Sequence, residues 1–123
     1  MALNRKYPQA NLTLPLLPVG SGVVSGDPIV FGTLPAVALI DRRADGKATS
    51  QKDGILVMSV AAIDDSGVSA ADANSAVAIG DKIYYDSGDT PMLSKRTDGI
   101  FWGIALSTLT TGTTGDVDVQ CGW

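Results

Sequence analysis

The chain of 123 residues has no histidine and no glutamate, and a single cysteine, Cys121. The neutral-pH general bases therefore reduce to Asp, Lys, Tyr and that one thiol. A Ser-His-Asp or Cys-His site is impossible within the chain. So is a zinc site built on His or on several Cys. One Cys makes no internal disulfide. Long apolar runs are scarce too. The uncharged stretch 12–26 is broken by Pro15, Pro18, Gly20 and Gly22, so it does not read as a membrane span. Arg5 and Lys6 are not followed by an apolar run of signal-peptide length.

Basic charge is also thin. Nine Lys and Arg stand against 13 Asp, for a net charge of -4. Phosphate backbones repel such a surface, so nucleic acid is not expected as a partner. Six of the nine basic residues fall in local pairs, Arg5-Lys6, Arg42-Arg43 and Lys95-Arg96, and none makes a stripe.

What is present points to one folded domain. Leu, Ile, Val and Phe together make up 32 of the 123 residues, above the roughly 20% below which chains tend to stay disordered. Residues 1–19 read as an extended N-terminal arm, because Pro8, Pro15 and Pro18 bar helix and central strand. Its leucines need burial, either on the arm's own domain or on another chain. Residues 20–123 read as a single all-β domain, a small barrel or sandwich of short strands. Strand-like runs fall at 29–31, 36–40, 55–60, 82–86, 100–106 and 116–121, with a strand stub and turn at 22–27 and an edge strand at 91–96. Residues 42–53 are polar, hold Asp45-Gly46 and read as a turn region. Residues 64–78 read as a loop with at most one or two helical turns, since alanines favour helix while Gly67 and the Asp, Asn and Ser content oppose it.

Tests for chemistry find little. Asp41, Asp45 and Gly46 sit at positions one, five and six of a calcium loop, but Arg43 and Lys52 stand where carboxylates are needed. Asp64-Asp65, Asp86 with Asp89, and Asp116 with Asp118 are turn residues before they are ion ligands. No phosphate loop, nucleophile elbow or dinucleotide fingerprint is present. No cofactor and no metal are expected, and Cys121 reads as a small buried hydrophobe. Successive strand residues face opposite sides. One member each of Tyr84/Tyr85 and Phe101/Trp102 must therefore lie on an outer face, as a protein contact or under a shielding loop.

One internal echo stands out. Val24-Ser25-Gly26-Asp27-Pro28-Ile29-Val30-Phe31 resembles Ala78-Ile79-Gly80-Asp81-Lys82-Ile83-Tyr84-Tyr85. Each is followed by a second apolar run, 36–39 or 103–106. One turn-to-strand solution used twice explains this more simply than duplication, and Gly-Asp is then structural punctuation.

The ordered set of residues 22–30, 36–39, 78–86, 103–106 and 116–119 resembles a tailed-bacteriophage family of small capsid cement, or decoration, proteins. That resemblance covers about residues 20–121. It implies a non-enzymatic protein bound to the outer surface of a phage head, on the major capsid protein lattice, in the virion and, during assembly, in the host cytoplasm. It also implies a homo-oligomer, with a trimer favoured over a dimer, and neither nucleic acid nor membrane as partner. Contact residues to capsid or sister subunit are then expected at Arg5, Lys6, Tyr7, Leu12, Leu14, Leu16, Tyr85, Trp102 and Trp123. The rival reading is a small ligand- or sugar-binding module of a phage tail or receptor-binding part, which needs a concave aromatic site.

Overall fold

The computed structural model describes residues 12–52, 54–64 and 73–121, and every regular element among them is a β-strand. In chain order these are β1 Leu12–Pro18, β2 Pro28–Phe31, β3 Leu34–Ala38, β4 Lys47–Lys52, β5 Ile55–Ala61, β6 Ile63–Asp64, β7 Ala73–Asn74, β8 Lys82–Tyr85, β9 Leu93–Ser94, β10 Ile100–Ala105 and β11 Thr114–Cys121. One sheet has the order β1-β4-β3-β2. A second set, β10-β11-β5-β9-β8, forms a ring whose ladder returns to its starting strand. The small all-β fold expected from the short β-branched runs is what forms.

The two sheets are built alike. The order β1-β4-β3-β2 in the first matches β5-β11-β10-β8 in the second. The registers match as well. Ile29 faces Ala36 as Ile83 faces Gly103. Val37 and Ala38 face Gln51 and Ser50 as Ile104 and Ala105 face Gln120 and Val119. Thr13 and Leu14 face Gln51 and Ser50 as Ile55 and Leu56 face Gln120 and Val119. Inward positions agree: Ile29 with Ile83, Ala38 with Ala105, Ala48 with Val117, and Ser50 with Val119 are all buried. The short sequence echo is thus the visible part of a four-strand structural repeat.

The halves differ in filling. The second holds the main core, which includes Met58, Val60, Ile83, Leu93, Trp102, Val117 and Val119. Among the described side chains, the first has a cluster of Ile29, Ala36 and Ala38, with Val19, Val23 and Phe31 against it. The halves also differ at one edge. In the second, β9 pairs parallel with β5 and antiparallel with β8, closing the ring. In the first, β2 is an edge strand.

Four expectations need correction. The polar stretch 42–53 is not all turn: Lys47–Lys52 is the strand β4. It alternates as a strand should, but its inward residues are Ala48 and Ser50, which carry little hydrophobic signal. The stretch 91–96 gives an inner strand of the ring and not an edge, because β9 has partners on both sides. The stub at 22–27 is turn without strand. Residues 64–78 include the strand β7, which pairs with β6, and the described part, 73–78, has no helical turn; residues 65–72 lie outside the described residues. The arm is extended over Leu12–Pro18, and there it pairs with this chain's own β4. Pro15 sits at the register shift between Leu14 and Leu17, and β1 lies at a sheet edge. Edge and bulge are the places where a strand tolerates proline.

Candidate contact surface

Two equivalent turns shape the surface. Gly26 and Gly80 both have φ +94°, a conformation open to glycine and strained for other residues. In the first turn, the Asp27 carboxylate (Oδ2) accepts the Val24 N–H at 3.0 Å. In the second, the Asp81 carboxylate accepts the Ala78 N–H at 2.8 Å. The Gly26 and Gly80 N–H groups donate to the carbonyls of Ala38 and Ala105, each at 2.8 Å. Ala38 and Ala105 donate back to the carbonyls of Asp27 and Asp81. The Gly-Asp pairs therefore tie each turn to the far strand of its hairpin, and their role is structural.

The second turn has an added clamp. Lys95 Nζ lies 3.1 Å from Asp81 Oδ2 and donates to Ser75 Oγ at 3.0 Å and to the Ala76 carbonyl at 2.9 Å. The Ala78 N–H, with further help from Lys95, holds the Asp81 carboxyl below its ordinary value against the opposing effect of partial burial. A shallow cleft of about 420 Å³ lies here, bordered by Asp81, Tyr84, Lys95 and Thr97. The Lys95 ammonium group there is already engaged by three oxygens. Arg96 pairs with Asp89 at 2.8 Å and Asp98 at 2.7 Å, bracing the segment around β9.

A groove of about 320 Å³ runs between the halves, with Val19, Asp27, Ile29, Tyr85, Ser87 and Met92 in its walls. Burial pushes the Tyr85 hydroxyl above its ordinary pKa, and the charges of Asp27 and Asp86 add to this. A neutral phenol in a groove with no second aromatic wall is a poor sugar platform. Among the described residues, no group of three His, Cys, Asp or Glu comes together to hold a metal ion.

The surface does display aliphatic side chains. Ile55 and Val57 on β5 are each 65% exposed. Across the ladder from them stand Gln120 and Asp118. Val24, Leu39 and Ile40 are exposed around the first turn, and Ile79 is exposed on the second. Tyr84 and Phe101 face each other across β8 and β10, with ring centroids 6.0 Å apart in an edge-to-face pair.

The expected contact residues divide. Arg5, Lys6, Tyr7 and Trp123 lie outside the described residues. Leu12 and Leu14 pair with Lys52 and Ser50 through the β1 backbone, and Leu16 falls in the bulge. Tyr85 is half-buried against the main core. Trp102 must be corrected: it is 0% exposed, and its Nε1–H donates to the Ile29 carbonyl at 3.3 Å. The ladder shifts register between Phe101 and Gly103, and the wrapped strand points the indole inward. Phe101 is the more outward of its pair, while Tyr84 and Tyr85 are both partly buried. Sequence reading also passed over Ile55 and Val57. Their signal was present: the run 55–58 is apolar at every position, where a strand covered on one face needs only alternate ones.

Such a molecule is a small all-β domain whose surface displays exposed aliphatic side chains. Residues 8–121 match the family of phage cement proteins, and the chain belongs to that family. The match begins at residue 8, so it takes in the β1 strand as well as the repeat of turns. No curated protein and no solved structure matches the chain. Membership associates the chain with the phage capsid and a capsid-stabilising role.

Proposed function

We propose that this protein binds the outer surface of a tailed-phage head and stabilises the lattice of major capsid protein without catalysing a reaction. The observation that carries this reading is the match of residues 8–121 to phage cement proteins. The exposed aliphatic residues on β5 and at the two turns agree with it. Apolar contact contributes roughly 25 cal/mol per Å² removed from water, less the cost of ordering both partners. Repetition over many sites lets modest contacts hold a shell under pressure. A homo-oligomer suits this role, because closed oligomers fit capsid symmetry axes; the trimer is the form we favour. The segment before Leu12, with Arg5, Lys6 and Tyr7, is the part of the arm assigned to capsid or sister subunit.

The test is cosedimentation with empty expanded capsids that lack the protein, run beside a glycan screen. Binding to capsids without glycan binding is the expected result; the reverse would replace this reading with the tail-module one. Deleting residues 1–11 should weaken capsid binding while leaving the melting temperature within a few degrees. Deleting residues 1–19 should lower the melting temperature, because it removes β1 from β4.

A further inference from the structure

The structural repeat is incomplete at one place. In the second half, β9 lies between β5 and β8: Leu93 faces Val60 and Tyr85, and Ser94 faces Ala61 and Tyr84. Pro18 matches Ser59, and Ile29 matches Ile83. Val60 and Ala61 therefore correspond to Val19 and Gly20, and Tyr84 and Tyr85 to Val30 and Phe31. The Val19 N–H, bonded to the Gly46 carbonyl at 3.0 Å, carries the β1 ladder on to this point. Among the described residues, no strand lies between these counterparts in the first half. Residues 86–99 join β8 to β10 and hold β9, whereas Gly32 and Thr33 alone join β2 to β3. Three of the four counterparts, Val19, Gly20 and Val30, line the groove of about 320 Å³ between the halves. Val60 is 0% exposed beneath β9, while Val19 is only partly buried. The groove thus stands where the missing strand would lie, along the edge of β2, and an edge strand offers its backbone groups for pairing.

The chain carries a segment that fits. Ala2-Leu3-Asn4-Arg5-Lys6 repeats the pattern of Met92-Leu93-Ser94-Lys95-Arg96: an apolar residue, leucine, a short polar residue and two basic ones. In the second half Leu93 is fully buried, and Lys95 Nζ lies 3.1 Å from Asp81 Oδ2. Asp27, the counterpart of Asp81, borders the groove and forms no ion pair among the described residues. Arg5 in the place of Lys95 would supply the cation that Asp27 lacks.

Length decides which copy supplies the segment. β9 runs parallel to β5, so its counterpart would run parallel to β1. Asn4 would then stand beside Gly20, past the far end of β1. From Gly20 back to Leu12 is about 23 Å at 3.3 Å per residue, with the bulge allowed for. Reversing direction takes a four-residue turn, and the remaining stretch from Tyr7 to Leu12 spans at most about 18 Å. The arm is too short to close its own half.

We propose that residues 2–6 of a second copy enter this groove as the closing strand of the first half, with Leu3 beside Val19 and Phe31 and with Arg5 against Asp27. The inference rests on the homo-oligomer reading above and adds the segment, its acceptor and the register. Backbone bonds to the edge strand give such a contact its affinity, and the side-chain pockets give it specificity.

The experiment measures self-association by sedimentation in the full chain, in the chain lacking residues 1–6, and in Leu3→Asp and Arg5→Asp. Melting temperatures establish that each variant is folded. Self-association of the full chain is expected to weaken about thirtyfold in the deletion and in Leu3→Asp, the scale of a lost buried anchor. Arg5→Asp is expected to weaken it roughly fivefold, the scale of an exposed ion pair. A labelled peptide of residues 1–8 is then added to the shortened chain. One peptide is expected to bind per chain, and the Val19→Asp change in the shortened chain is expected to abolish binding; Val30→Asp replaces it if Val19→Asp does not fold. If the shortened chain associates like the full one, copies join elsewhere and the proposal falls while the homo-oligomer reading stands. If the peptide does not bind, or binds the Val19→Asp chain equally well, the arm uses another surface and the proposal falls. A full chain that stays monomeric removes both.

Discussion

The first and second halves of this molecule share one backbone plan and differ in what fills it. Ile83 sits in a core with Trp102, Leu93 and three buried valines from β5 and β11. Ile29, its counterpart, has Ala36 and Ala38 as fully buried cluster partners among the described residues. Val119 has Ser50 as its counterpart, and Val117 has Ala48. Backbone register and turn chemistry can therefore be repeated while individual inward residues change in size and polarity. The two halves are joined where the Trp102 Nε1–H of the second donates to the Ile29 carbonyl of the first.

That contrast is most easily broken at the isoleucines. Ile83→Ala is expected to cost about 4 kcal/mol and Ile29→Ala about 2 kcal/mol in chemical denaturation, because a large core leaves a larger unfilled cavity than a thin one. Equal or reversed costs would show that the halves share one core energetically. The next largest effect lies at Gly103. A Cβ there would overlap the Gln120 carbonyl oxygen and crowd Val119 Cγ1 at 2.9 Å, while the equivalent Ala36 already carries one. Gly103→Ala is expected to destabilise by about 2 kcal/mol, and thermal melting at fixed pH measures it.

Opposite signs are expected at the next pair. The Ser50 hydroxyl is buried and has no hydrogen-bond partner among the described residues. Removing an unsatisfied buried hydroxyl relieves a desolvation cost. Ser50→Ala should raise stability by about 1 kcal/mol, whereas Val119→Ala should lower it by about 2 kcal/mol. Urea titration of both variants sharpens the comparison, and a loss of stability in Ser50→Ala would contradict it.

The acid limb gives a smaller effect. Asp81 is held below its ordinary pKa chiefly by the Ala78 N–H. A depressed folded-state value contributes stability that is present above the unfolded pKa of about 3.9 and is lost as pH falls through the folded value. Asp81→Asn should therefore flatten the stability profile below about pH 4 while lowering stability at neutral pH. An unchanged acid limb would show that the turn is not held by this carboxylate. The smallest expected effect is none: EDTA should leave the melting temperature unchanged, and a drop of several degrees would reveal a bound ion.

Much of this was legible in the residues, and the rest was hidden for physical reasons. β2, β5, β8, β10 and β11 announced themselves by β-branched and aromatic runs. The Gly-Asp turns were legible because their spacing to the following Ile is the same in both halves. β4 was hidden because its inward residues are Ala and Ser. The equivalence of β1 and β5 was hidden because Thr13-Leu14-Pro15 and Ile55-Leu56-Val57 share only one residue. Which of Phe101 and Trp102 turns inward depends on a register shift that no local pattern encodes. β9 read as an edge because two residues carry no sign of partners on both sides.

A protein with the proposed role strengthens a phage shell. The most direct test is the survival of DNA-filled heads lacking the protein, heated with and without added purified chain, with DNA release as the readout. Added protein should shift release to a higher temperature and saturate at a fixed number of copies per head. Heads that release DNA at the same temperature despite bound protein would contradict the account.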